Sequence, residues 1–481
     1  MDTFKRIAKN TSILLISRVV GYALSFLYII SIARYLGTDE YGILSFALAF
    51  ATIFSIFADL GLNTLIVREI AREKKSADKY LGNTILMKLF LSIITLVLVG
   101  LTINILGYDH TTIQVVYLII LYIICTSFSQ TCYSIFQAYE QMEYQAIGEI
   151  LNNILMFTGV LIVIYSGLNI LSFALVYAIA SITVLAVNLF LCIWRFITPL
   201  IEFNPEFMKI TFKKALPFGI TSIFVTMYFY IDTVMLSIIQ ESSAVGIYNA
   251  AYNLIFALTF IPSVFILSIF PVMSRHFKTA KNVLKIEYEK SVKYLLIISV
   301  FILVCGLIYS DKFIPLIYGE NYISSIGAFN ILIIVLPFLF LTSLFGNFLG
   351  AINKQIVVTF VALLNALLNI MLNLILIPKF SYLGASAATV FTECFGFILM
   401  FTYISKYFFK ISITENLLKT TSVGFSVLLI SYILKGQVNW ILSLIISTIV
   451  YYLILYKIGV IAKEDIKLVK SLFPQKQSKK N

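Results

Sequence analysis

Residues 11–69 read TSILLISRVVGYALSFLYIISIARYLGTDEYGILSFALAFATIFSIFADLGLNTLIVRE. Two apolar runs, roughly 13–33 and 43–67, are each long enough to cross a bilayer at about 20 residues per crossing. A polar turn, Gly37-Thr38-Asp39-Glu40-Tyr41-Gly42, separates them. The first run carries a cation, Arg18, between apolar neighbours, and the second closes on Asp59-Leu60-Gly61-Leu62-Asn63 and then Arg68-Glu69. A plain anchor has no use for charge in such places, and the rest of the chain repeats the pattern.

Of 481 residues, 60% are hydrophobic and 12% charged, and mean hydropathy is +0.98. A soluble domain carries about 25% charge, so the chain is read as an all-α polytopic membrane protein. The first apolar run is too long for the core of a signal peptide, and no cleaved leader is expected. The five cysteines fall in apolar runs without metal-ligand spacing and are read as small hydrophobes. The two histidines, His110 and His276, are placed in loops, which excludes a histidine centre at membrane depth. No cofactor is expected, and no nucleic acid, because the net charge of +12 comes from loops and tail rather than a folded basic face.

Apolar runs recur at roughly 11–34, 43–67, 81–107, 113–138, 147–167, 170–194, 213–239, 244–273, 292–310, 325–350, 355–377, 383–405, 417–434 and 438–458. Continuous rather than alternating, they predict fourteen transmembrane helices. With an inner N-terminus, four of the 35 Lys and Arg fall in outer connections (Arg34, Lys312, Lys379, Lys435) and two inside segments (Arg18, Lys88). The other 29 lie on the inner side, which places both termini in the cytoplasm of a cell-membrane protein.

An internal repeat points to two six-helix lobes. Tyr41-Gly42-Ile43 opens the second segment and Val245-Gly246-Ile247 opens the eighth. Gln137-Ala138-Tyr139-Glu140-Gln141 closes the fourth and Gly350-Ala351-Ile352-Asn353-Lys354-Gln355 the tenth. The expected organisation is an N-lobe over 1–200, a C-lobe over 201–405, two extra helices over 406–460 and a basic tail over 461–481. Paired lobes without a soluble domain or P-loop predict a transporter in which one lobe rocks against the other around a site between them. Pro262 and Pro337 should kink the eighth and tenth segments.

Ions at membrane depth cost from about 2.5 to above 10 kcal/mol and default to functional candidates. Arg18 either snorkels to the interface or faces a cavity, where its guanidinium would match phosphate oxygens. Asp232, in Tyr228-Phe229-Tyr230-Ile231-Asp232, has no cation within a turn; it is protonated, paired across the lobes with Arg18, or a Na+ or H+ site. Glu149 with Asn152 and Asn153 forms a polar face, and Glu393 lies in mid-segment. Asn365, Asn369 and Asn373 step by four, with Lys354 and Gln355 before them, to line a cavity or join helices. Asp59 and Asn63 are read as interhelical glue and Lys88 as snorkelling. Arg68 and Arg275 stand at matching inner ends, as anchors or as captors of lipid phosphate.

The order and spacing of Ser17-Arg18-Val19-Val20-Gly21, Leu36 to Gly42, Asp59-Leu60-Gly61, Arg68 to Arg72, Ile231-Asp232 and Val245 to Tyr248 resemble the polysaccharide biosynthesis (Wzx-type) flippases. These belong to the multidrug/oligosaccharidyl-lipid/polysaccharide exporter superfamily. The resemblance implies movement of a polyprenyl-phosphate- or pyrophosphate-linked oligosaccharide between leaflets. It also implies a MATE-like V of two lobes around a cationic cavity; the chain is expected to act as a monomer. Ser17-Arg18-Val19 matches the first helix of the lipid II flippase, where that Arg is functionally important. Ala23, Leu24 and Ser25 then replace further charge, so a sugar-unit flippase fits better. The alternatives are a MATE-type cation-coupled drug exporter, for which Arg18 would be dispensable, and a membrane glycosyltransferase, which would want a sizeable outer domain.

Overall fold

A computed structural model describes residues 3–197, 203–279, 281–408, 413–434 and 438–461. Its helices are α1 (Thr3–Asp59), α2 (Leu62–Arg72), α3 (Ala77–Ile105), α4 (His110–Ala138), α5 (Met142–Tyr165), α6 (Ile170–Arg195), α7 (Pro205–Ile239) and α8 (Ser242–Leu258). They continue as α9 (Phe260–Thr279), α10 (Lys281–Tyr318), α11 (Ser325–Leu332), α12 (Leu336–Ala351), α13 (Gln355–Tyr407), α14 (Ile413–Leu434) and α15 (Trp440–Lys457). Eleven described helical stretches are long and apolar enough to cross a membrane. Helices satisfy their own backbone groups, which hydrocarbon cannot do. The chain is therefore a multi-pass, all-helical membrane protein.

Two of the longest helices are broken by one residue. Gly37 in α1 takes φ 71°, a left-handed value that glycine adopts without a side-chain penalty. Ser381 in α13 takes φ 51°, three residues after Pro378, whose missing N–H weakens the ladder there. A second break follows α1, where Leu60 and Gly61 both have positive φ. Pro262 and Pro337 both stand in the first turn of a helix that follows an interruption. Pro262 lies just past the interruption between α8 and α9. Pro337 sits in the first turn of α12, after a 3-10 turn over Ile333–Val335.

The connection expected near 274–291 is helical instead: α9 runs to Thr279 and α10 starts at Lys281. His276 is thus a helix residue, with Nδ1 2.9 Å from Glu287 Oε1. His110 opens α4, behind Asp109, whose carboxylate accepts from the Thr111 and Thr112 N–H groups. Those bonds satisfy donors that every helix start leaves free. Burial pushes the Asp109 pKa up, but the hydrogen bond from the Thr112 hydroxyl together with these backbone bonds outweighs it, so the pKa lies below its ordinary value.

The chain forms two compact units. One holds 1–260, 314–331 and 356–392. In it Ile66, Ile70, Tyr80, Leu81, Tyr133, Ile135 and Phe136 build a buried cluster from α2, α3 and α4. The other holds 261–313, 332–355 and 393–481. There Val300, Val304 and Tyr309 of α10 pack with Val423 and Val427 of α14 and with Tyr451 and Leu455 of α15. The side faces of α3, α6 and α15 carry many exposed leucines, isoleucines and phenylalanines, as a lipid-facing surface requires.

Candidate functional site

Every close arrangement described below lies within the first unit. Asp232 sits inside α7 and is 2% exposed. Its carboxylate accepts from the Tyr248 hydroxyl of α8 at 3.0 Å, from the Thr389 hydroxyl of α13 at 2.8 Å and from the Asn373 amide of α13. Asn373 also donates to Asn369 Oδ1 at 2.9 Å. Removing a carboxylate from water costs several kcal/mol unless it is paired and hydrogen-bonded. Here three neutral donors meet it, and no Lys or Arg among the described residues does. Arg18 is exposed and does not pair with it, which removes that reading of the sequence. The amide oxygens of Asn373 and Asn365 have no hydrogen-bond partner among the described residues. Carboxylate, hydroxyl and amide oxygens are the donor set of a hard cation.

Lys88 of α3 corrects the sequence reading. It does not snorkel: its side chain has no exposed surface and its ammonium lies 2.8 Å from Asp59 Oδ1. It also donates to Asn63 Oδ1 at 3.0 Å, to the Ser127 carbonyl at 2.8 Å and to the Ser127 hydroxyl at 3.1 Å. The break at Leu60–Gly61 makes this possible. Asp59 accepts the N–H of Gly61 and of Asn63, and the bent chain presents both side chains to α3. The glue expected at Asp59 and Asn63 is therefore the seat of a buried cation.

Glu149 and Asn153 of α5 face the first arm of α1. Ser17 donates to Glu149 Oε2 at 3.0 Å, Gln145 donates to Oε1 at 2.8 Å, and Ser25 donates to Asn153 Oδ1 at 2.8 Å. Between the serines, a Cβ on Gly21 would stand 3.1 Å from Asn153 Nδ2. Ser17, Gly21 and Ser25 are spaced four apart, a small-residue stripe that lets two helices approach. Arg18 flanks this stripe and is exposed.

The remaining candidates do not converge. Arg68 Nη2 pairs with Glu69 at 2.8 Å and its guanidinium lies 5.3 Å from the Phe218 ring centre of α7. Burial raises the Glu69 pKa, but the hydrogen bond from Arg68 and the charges of Lys214, Arg68 and Arg72 outweigh it. Its net shift is downward from 4.5. Asn365, Asn369 and Asn373 are buried on one face of α13, whereas Lys354 at its start is exposed. Glu393 is buried in the second unit. The side chain of Arg275 lies outside the described residues.

The arm of α1 after Gly37 is gripped at both ends. At one end a Cβ on Gly42 would stand 1.9 Å from the Ser242 carbonyl oxygen, and one on Gly246 would stand 2.0 Å from that of Thr38. At the other, a Cβ on Gly61 would meet Gly219 N at 2.5 Å, and one on Gly219 would meet the Leu60 oxygen at 2.6 Å. Along the same arm opens a cavity of about 260 Å³, lined by side chains that include Tyr41, Tyr122, Tyr177, Tyr230 and Asn253. Its lining contains no Lys, Arg, Asp or Glu, unlike the cationic cavity that the resemblance implies. Sequence reading missed it, because each tyrosine comes from a different stretch of chain.

The family described as polysaccharide biosynthesis protein matches residues 7–277, and the MatE family matches 217–375. The capsular polysaccharide biosynthesis protein CapF of Staphylococcus aureus is 27% identical over 416 residues, covering 84% of this chain and 99% of that protein. A probable low-salt glycan biosynthesis flippase of Haloferax volcanii is 26% identical over 416 residues, covering 83% and 84%. Among solved structures, the lipid II flippase MurJ in an inward closed conformation superposes with a TM-score of 0.77 at 17% identity. That match spans 93% of this chain and 99% of MurJ, and it speaks for the fold.

Proposed function

Because the chain belongs to the polysaccharide biosynthesis protein family, we propose that it is a flippase. It moves an oligosaccharide linked to a polyprenyl phosphate or pyrophosphate across the cytoplasmic membrane, for assembly of a surface polysaccharide or glycan. The observation that carries this reading is the double grip on α1. Glycine crossings close the arm at Gly42–Gly246 and at Gly61–Gly219, with a cavity along the same arm. Alternating access needs two closures that part in turn around one space. The capsular polysaccharide protein and the glycan flippase among the relatives support the substrate class.

The fold is read as fourteen crossings with both termini cytoplasmic. Gly37 and Ser381 each divide one of the eleven long spans, and Leu418–Ile433 is a shorter apolar helix that adds another. Two six-helix lobes, 1–200 and 201–405, then do the rocking as one monomer, since a single chain holds both. Arg18 meets the substrate phosphate, with Arg68 and Arg275 receiving lipid phosphate at the inner face. Glu149 and Asn153 line the substrate route beside the first arm of α1. Asp232, with Thr389, Asn373, Asn369 and Asn365, binds a Na+ or H+ that couples the cycle; the ion would neutralise the buried carboxylate.

Reconstitution in liposomes with a lipid-linked oligosaccharide tests the proposal, by the appearance of its sugar in the opposite leaflet. Wild type should translocate and Arg18→Ala should not. Translocation by neither, or equally by both, would exclude the reading. A drug exporter would instead move organic cations with Arg18→Ala intact.

A further inference from the structure

We propose that the tyrosine-lined cavity is a subsite for one neutral sugar ring of the transported headgroup, separate from any phosphate-binding group. The assignment rests on the flippase reading for what the sugar belongs to, and on the cavity's own chemistry for the sugar.

Five tyrosines reach this space from five helical stretches: Tyr28 and Tyr41 from the two arms of α1, Tyr122 from α4, Tyr177 from α6 and Tyr230 from α7. At about 260 Å³ it falls just under the ~300 Å³ at which small-ligand pockets begin. That room suits a single ring and excludes a polyprenyl chain. A phosphate is also a poor occupant, because no cation lines the space and phosphate oxygens want guanidinium or ammonium donors. A hydrocarbon occupant would leave the Tyr177 and Tyr230 hydroxyls, which have no hydrogen-bond partner among the described residues, unsatisfied at membrane depth. A pyranose meets both demands. Its C–H face lies on an aromatic ring, and its hydroxyls exchange hydrogen bonds with phenols and amides.

The site is held in shape before anything enters. Tyr122 and Tyr177 meet edge to face, with ring centres 5.2 Å apart and planes at 76°. Asn253 of α8 donates from Nδ2 to the Tyr41 hydroxyl at 2.8 Å. Asn249 donates to the Val245 carbonyl and accepts from Thr233. Fixed aromatic walls bind at lower entropic cost than flexible ones. Tyr41 immediately precedes Gly42, so the cavity wall and the crossing at Gly42–Gly246 move as one piece of helix.

Saturation-transfer NMR reads this chemistry directly. The full chain in nanodiscs of deuterated lipid is saturated at its aromatic protons. Transfer is then measured to the ring C–H protons of soluble neutral oligosaccharides of hexose and of N-acetylhexosamine, with inorganic pyrophosphate as competitor. The wild type should transfer to at least one of them, and pyrophosphate should not compete. Tyr122→Phe keeps the ring and should retain the signal. Tyr122→Leu and Tyr177→Leu should lose about tenfold in affinity, while melting curves show each variant folded. Absence of transfer from the wild type, or transfer unchanged in both leucine variants, overturns the assignment. Flipping assayed in the same preparations reads the transport proposal separately. Transfer without flipping keeps the sugar subsite and removes the flippase; flipping without transfer does the reverse.

Discussion

The backbones of Gly42 and Gly246 lie in contact: a Cβ added to Gly42 would stand 3.0 Å from the amide nitrogen of Gly246. Tyr41-Gly42-Ile43 and Val245-Gly246-Ile247 are also the two halves of the sequence repeat. The repeat therefore supplies both sides of one crossing. No side-chain rotation can relieve a methyl that meets backbone, so Gly42→Ala or Gly246→Ala should force the second arm of α1 away from α8. Labelling of Ser45→Cys by a membrane-impermeant thiol reagent should rise and flipping should fall severalfold. Gly346→Ala, which meets nothing within 4 Å, should change neither.

Lys88 and Asp59 form a buried ion pair in which the cation is fully enclosed and the carboxylate 27% exposed. Removing one partner of a buried pair costs about 3–5 kcal/mol, and the loss should be lopsided. Asp59→Asn strands an enclosed ammonium, whereas Lys88→Met strands a carboxylate that still reaches the surface. Thermal melting in detergent should fall further for Asp59→Asn. The double variant Asp59→Asn/Lys88→Met should recover much of that fall.

An ion at the Asp232 cluster should stabilise the folded chain. Binding at a hundred times Kd adds about 2.7 kcal/mol. Melting temperature should rise when sodium replaces choline, or as pH drops if the ion is a proton. The rise should vanish in Asp232→Asn and shrink in Thr389→Val. Flipping by Asp232→Asn that still responds to sodium and pH gradients as wild type does would remove the coupling proposal.

Glu69 joins Arg68 at 2.8 Å and Lys214 of α7 at 3.8 Å. Its folded pKa lies below the ordinary value of 4.5, so the carboxylate contributes stability above that value. The contribution is lost as pH falls through the depressed pKa. Melting should therefore drop on acidification below about pH 4.5. Glu69→Gln should flatten that part of the profile and lower stability at neutral pH by less than about 1 kcal/mol. Added salt should mimic the substitution in part.

The membrane spans were legible because apolar runs of bilayer length have few alternative explanations, and Gly37 and the prolines marked breaks that do occur. Asp232 stood out as a carboxylate without a local cation, yet Thr389 lies 157 residues away and no spacing rule connects them. Lys88 was misread for the same reason. Snorkelling is the natural reading of a lysine near a helix start, and its oxygens at Asp59 and Ser127 arrive from other helices. The connection near 274–291 looked polar enough for a loop, but His276 and Glu287 meet across two abutting helices. The cavity left no trace, since Tyr28, Tyr41, Tyr122, Tyr177 and Tyr230 form no pattern until α1, α4, α6 and α7 pack.

The central claim is that a lipid-linked oligosaccharide crosses only when the Gly42–Gly246 contact can part. The direct measurement is flipping in liposomes by a Thr38→Cys/Ser242→Cys chain with its native cysteines replaced. It is made before and after tethering with a short, reducible bifunctional thiol reagent. The account predicts wild-type flipping before tethering, arrest after it, and recovery on reduction. Flipping that continues unchanged in the tethered protein would contradict it.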